Sequence, residues 1–102
     1  MVTERQQIVL DEMTPGFKAT MERLPPQERK VFATLAEMDR IATSREVAEQ
    51  ARLDVNKTSA VLGRLVKAGF LVDMSVNPRL KRYEISVERH WLGIWLRAKK
   101  GV

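Results

Sequence analysis

The chain has no cysteine, a single histidine, and no apolar run near the roughly 18 residues that cross a bilayer. Each absence removes a class of function. Without thiols there are no disulfides, no thiolate metal sites and no cysteine nucleophile, a usage that fits a reducing compartment. The lone imidazole, His90, has no second histidine or thiol near it in sequence, which argues against a metal site and against a nucleophile–histidine pair. Thirteen Asp and Glu remain for carboxylate chemistry, but most fall at helix caps or in exposed turns. The expectation is a non-enzyme with no cofactor. The start, MVTERQQIVLDEM, mixes charges into its apolar positions, unlike a secretory signal, so a soluble, cytoplasmic protein without a membrane partner is expected. Repeats and low-complexity tracts are also missing. A length of 102 residues suffices for one domain with a real core and not for two ordinary ones.

What is present is an uneven charge. Residues 1–52 hold eight Lys/Arg against nine Asp/Glu, whereas residues 53–102 hold ten against four, so the whole net charge of +5 belongs to the second half. A basic half is the electrostatic footprint of a polyanion binder, because each cation beside a phosphate releases condensed counterions.

Proline, glycine and capping residues divide the chain. Thr14-Pro15 reads as N-cap and first helical residue, ending a helix over Thr3 to Met13 and starting a short one, Pro15 to Arg23. Leu24-Pro25-Pro26 breaks the chain again. Gln27 to Met38 then sets Val31, Phe32, Leu35 and Met38 on one helical stripe that belongs in the core. Ile41-Ala42 has room only for a small strand. Thr43 and Glu46 have capping-box spacing and start a helix whose Val47, Ala48 and Ala51 form a narrow buried face. Leu53 points back to the core, and Asp54 caps the next helix, Val55 to Ala68, with Gly69 as its C-cap. Phe70 to Met74 and Leu80 to Ile85 read as strands joined by a tip at Asn77-Pro78. Ser86 caps a last helix, about Val87 to Lys99, with Trp91, Leu92, Trp95 and Leu96 as its apolar stripe.

Two helices joined by a short turn and followed by a basic hairpin are the layout of a winged helix-turn-helix. The fold expected is mainly helical with a small β-hairpin wing, a three-helix core and flanking terminal helices. Residues 1–24 form an N-terminal helical extension, and residues 25–102 form the winged domain with its C-terminal helix. Arg52 stands where many such motifs have glycine in the turn, which suggests a looser turn type.

The stretch from TPGFKATMERLPPQERKVF to VLGRLVKAGFLV resembles the winged helix appended C-terminally to certain bacterial and archaeal P-loop ATPases. The tail, YEISVERHWLGIWLRAKKG, is similar to the strand and Trp-bearing helix that close that domain. LPPQERKV before a helix-turn-helix also resembles MarR-type transcriptional regulators, although the wing has NPRLKR in place of their Asp-x-Arg pattern. The ATPase resemblance implies a stand-alone or excised module, with an ATPase domain in the parent chain as a partner. The chain itself has no glycine-rich phosphate loop and cannot hydrolyse nucleotide.

The expected partner is double-stranded DNA. Within Val55 to Ala68, the side opposite the apolar stripe carries Asn56, Lys57, Ala60, Gly63, Arg64 and Lys67, with no acid, and Ser59 lies beside it. On a recognition helix, Asn56 would suit adenine and Lys57 or Arg64 guanine; the plainer alternative is a solvated face. In the wing, Asn77, Arg79, Lys81 and Arg82 would follow phosphates or enter a minor groove, or else keep an edge strand soluble. Thr43, Ser44 and Arg45 would meet a phosphate at a helix N-terminus, where free N–H groups point outward, although capping alone explains Thr43. Trp91 and Trp95 fit burial in the domain's own core better than a dimer seam. Ile8, Val9 and Leu10 have less company, which points to a homodimer through the terminal helices. A protein-interaction module without specific DNA binding is the competing function.

Overall fold

The first helix, α1 (Glu4–Arg23), runs unbroken through Pro15. It belongs to a computed structural model that describes residues 3–100. The expected break at Thr14-Pro15 is therefore corrected. Pro15 removes one helical N–H, yet residues on both sides of it are anchored. Leu10, Phe17 and Met21 are all buried on one side of the helix, and Phe17 stacks at 5.7 Å on Trp95. Thr14 is not an N-cap. Its hydroxyl donates to the Leu10 carbonyl at 2.7 Å and accepts the Trp95 indole N–H at 3.1 Å. A helix too weak to pass a proline alone passes it when both halves pack on the same neighbour.

Helix α2 (Pro26–Met38) opens on proline, where a missing N–H costs nothing. Arg29 near its start reaches back to the Met21, Glu22 and Leu24 carbonyls at 2.9, 3.3 and 3.0 Å, satisfying the end of α1. The predicted stripe holds: Val31, Phe32 and Leu35 are buried, and Met38 is half-buried against them. Strand β1 (Ala42–Thr43) leads into α3 (Ser44–Ala51), whose capping box is complete. The Glu46 N–H donates to Thr43 Oγ1 at 3.2 Å, and the Thr43 N–H donates to Glu46 Oε1 at 2.9 Å.

Arg52 closes α3 at φ 57°, the left-handed conformation that glycine adopts without steric cost. The turn is therefore not of a looser type; arginine accepts the geometry. Helix α4 (Val55–Lys67) follows, with the Lys57 N–H donating to Asp54 Oδ2 at 3.0 Å. Thr58, Val61, Leu62 and Leu65 are its buried side. The C-cap is Ala68, and Gly69 is the next residue, at φ 83°. The Phe70 and Gly69 N–H groups return to the Leu65 and Val66 carbonyls.

The wing consists of β2 (Leu71–Asp73) and β3 (Arg82–Ile85), shorter than expected, because side chains rather than ladder bonds hold the tip. β1 joins them, giving a three-stranded antiparallel sheet of order β1-β3-β2 with Ala42 opposite Tyr83 and Leu71 opposite Ile85. After a single 3-10 turn at Val87–Arg89 comes α5 (His90–Lys100). Ser86 does not cap it; its buried hydroxyl donates to the Gly69 carbonyl at 2.8 Å and ties the end of β3 to the end of α4. Trp95 and Leu92 are buried in the common core. Among the described residues no helix is long and apolar enough to cross a membrane.

Candidate nucleic-acid interface

The outer side of α4 follows from its inner side. Once Thr58, Val61, Leu62 and Leu65 face the core, the 100° step leaves Asn56, Lys57, Ala60, Arg64 and Lys67 exposed, and Ser59 and Gly63 half-exposed. Gly63 has a particular meaning here. A methyl group at its Cα would meet nothing within 4 Å, so no packing inside the protein asks for glycine, although glycine inside a helix costs about 1 kcal/mol relative to alanine. Ala60 and Gly63 thus form a strip of small residues on the outer side of α4.

Lys57 and Lys67 have no ion partner among the described residues. Arg64 has one: its Nε lies 3.8 Å from Glu28 Oε1, a carboxylate brought from the first turn of α2. The face is therefore not free of carboxylates, as the sequence of α4 alone suggests. No residue near Arg64 in sequence signals this neighbour. Glu28 stands 36 positions away in the chain, and only the packing of α2 on α4 joins them.

The wing is stiffened beyond its short ladder. The Ser75 N–H donates to Asp73 Oδ1, and the Arg82 N–H donates to Ser75 Oγ, both at 2.9 Å. At the tip the Leu80 N–H returns to the Asn77 carbonyl at 3.0 Å, and the Arg79 N–H donates to Asn77 Oδ1 at 2.9 Å. Asn77 thus forms the turn, and its amide oxygen is already committed. Hydrogen bonds from Ser75 hold the Asp73 carboxyl below its usual range, and Lys81 lies 3.5 Å away. Arg79 and Arg82 are exposed and have no acidic partner among the described residues. The tip is not uniformly basic: Val76 is 93 % exposed, and Val72, Met74 and Leu80 are also open to solvent.

Ser44 and Arg45 begin α3 directly after β1. Because Thr43 pairs with Arg82, they start beside the tip-ward end of β3, an approach that sequence periodicity did not indicate. Thr43 itself is occupied by capping. The Thr43 N–H, followed by Arg40 at 3.0 Å, lowers the Glu46 carboxyl below its ordinary value of 4.5. Not every cation of the basic half is available. Arg89 lies over the Phe70 ring at 4.3 Å, and Arg97 donates to the Ala36 carbonyl at 3.1 Å and pairs with Asp39 at 3.1 Å. His90 is exposed with its ring edge-on to Trp91. Among the described residues no three His, Cys, Asp or Glu side chains gather as a metal site would need.

No family model matches the chain, and no curated protein does. Solved structures do. A mutant MarR from E. coli superposes with a TM-score of 0.61 at 17% identity, covering 96% of this chain and 69% of that one. The fold is a winged helix-turn-helix, similar to that of MarR. NadR in complex with 4-hydroxyphenylacetate gives 0.58 at 16% identity, over 95% of this chain and 72% of NadR. A protein from the thermoacidophilic archaeon Sulfolobus tokodaii gives 0.59 at 18% identity, over 89% and 94%. The MarR resemblance read from LPPQERKV and the helix-turn-helix agrees with these structures; the resemblance to P-loop ATPase winged helices finds no support in them.

Proposed function

We propose that this chain binds double-stranded DNA as a MarR-type transcriptional regulator, with α4 in the major groove and the wing against flanking phosphates. The observation that carries this is the outer side of α4: exposed Asn56, Lys57, Arg64 and Lys67 around an unfilled strip at Ala60 and Gly63. Small residues let a helix lie close to a groove floor, and cations beside them meet phosphates or guanine. Arg79 and Arg82 of the wing, and Ser44 and Arg45, which follow the Thr43 that pairs with Arg82, supply a second line of backbone contacts. The function is binding, with no catalytic step and no cofactor.

A second copy belongs to the same proposal. Ile8 is 55 % exposed and Met13 is also open on α1, a helix whose main packing is against α5. A dimer through these helices would pair two recognition helices with two half-sites. The competing function, a protein-docking winged helix with an ATPase domain or another partner, draws on the open Val72, Met74, Val76 and Leu80 of the wing.

Charge reversal separates the two. Lys57→Glu, Arg64→Glu and Lys67→Glu, each titrated with a 30-base-pair duplex by fluorescence anisotropy, are expected to weaken binding roughly tenfold or more apiece. Unchanged binding in all three, or no duplex binding by the wild type, would reject this docking and favour the protein partner.

A further inference from the structure

Among the described residues, Arg64 is the one cation on the outer side of α4 that another element holds. Its partner, Glu28, is the third residue of α2, where the positive end of the helix dipole favours a carboxylate. The Glu28 side chain is only 13 % exposed, while that of Arg64 is 55 % exposed. One partner is fixed in the body of the protein and the other projects from it. At 3.8 Å the contact is an ion pair rather than a hydrogen bond, and so open a pair adds little to folding stability. Its geometry matters more. The near atom is Nε, the side of the guanidinium, so the terminal nitrogens, which form the fork that grips guanine O6 and N7 or a phosphate, remain without a partner among the described residues. Lys57 and Lys67 have no such tether and are point charges on flexible stems, suited to phosphates.

We infer that Glu28 is a positioning residue: it holds Arg64 by its Nε side so that the guanidinium fork meets one base pair in the major groove. The inference rests on the DNA-binding function proposed above. It also sets a trade-off. A carboxylate beside the groove repels phosphate, so Glu28 lowers affinity for DNA of any sequence while sharpening preference at one position.

The test uses the full chain and a pool of 30-base-pair duplexes with a randomised centre, sequencing the retained fraction. The wild type is expected to enrich guanine at one position, and Arg64→Ala to lose that enrichment. Glu28→Gln, nearly isosteric, is expected to reduce preference at the same position by about fivefold or more. Its total retention of the pool should be equal or greater. Glu28→Asp keeps the charge but withdraws it, and is expected to lose the preference without that gain. Glu28→Gln added to Arg64→Ala should change the preference no further. If Glu28→Gln keeps the preference, or lowers it at every position together, the inference is overturned. A wild type that retains the pool without base preference overturns it too. Failure of the wild type to retain the pool at all overturns the DNA-binding function and this inference with it.

Discussion

Thr58 is a polar side chain in an apolar setting. It is fully buried on the inner side of α4, and its hydroxyl has no hydrogen-bond partner among the described residues. An unpaired buried hydroxyl costs about 1–3 kcal/mol. Thr58→Val keeps the shape and removes the hydroxyl, and is expected to stabilise the protein by about 1 kcal/mol in urea unfolding; a lower midpoint would mean the hydroxyl is satisfied. Arg52 carries a different cost. At φ 57° a residue with a Cβ is strained, so Arg52→Gly is expected to gain about 0.5–1 kcal/mol, net of the extra chain entropy that glycine loses on folding. No gain in a thermal melt would show that the arginine side chain repays its backbone. The sequence marks Arg52 as a departure at a turn position, but the left-handed backbone shows only in three dimensions. Thr43, Glu46 and Asp54 were legible because a cap acts within three residues. Glu28 was not, because its partner comes from another helix.

Elements were legible where their own residues decide them. Helices α2, α3 and α4 each have an apolar side at helical spacing and a local start signal, so periodicity and capping sufficed. Helix α1 did not yield to the same reasoning, since its continuity through Pro15 depends on Trp95, which bonds Thr14 from 81 residues further on. Thr14→Val would strand the indole N–H and is expected to destabilise by about 1–3 kcal/mol. Tryptophan fluorescence during denaturant unfolding reads it directly, and an unmoved midpoint would remove Thr14 from the account of α1. The sequence leaves room at Ile41-Ala42 for only a small strand, and the pairing of β1 with β3, which brings Ser44 and Arg45 to the wing, is a long-range contact it does not signal. Gly63→Ala tests the open strip on α4. With nothing near the added methyl, helix propensity predicts a gain of about 1 kcal/mol in a thermal melt. A loss of stability would mean the strip is already filled from within.

At the scale of the molecule, the division of charge survives folding in reduced form. Arg89 and Arg97 serve the fold, the first against Phe70 and the second at the end of α2, and Lys99 lies over the Trp95 ring, so what the basic half presents among the described residues is the cations of α4 and the wing, joined by Arg45 at the start of α3. Their number sets the most direct measurement. Affinity of the wild-type chain for a 30-base-pair duplex, taken over a series of salt concentrations, should fall with a log–log slope near −4 to −5, as for about five neutralised phosphates. A slope near zero, or binding that does not need a duplex, would contradict a DNA-binding surface on this fold.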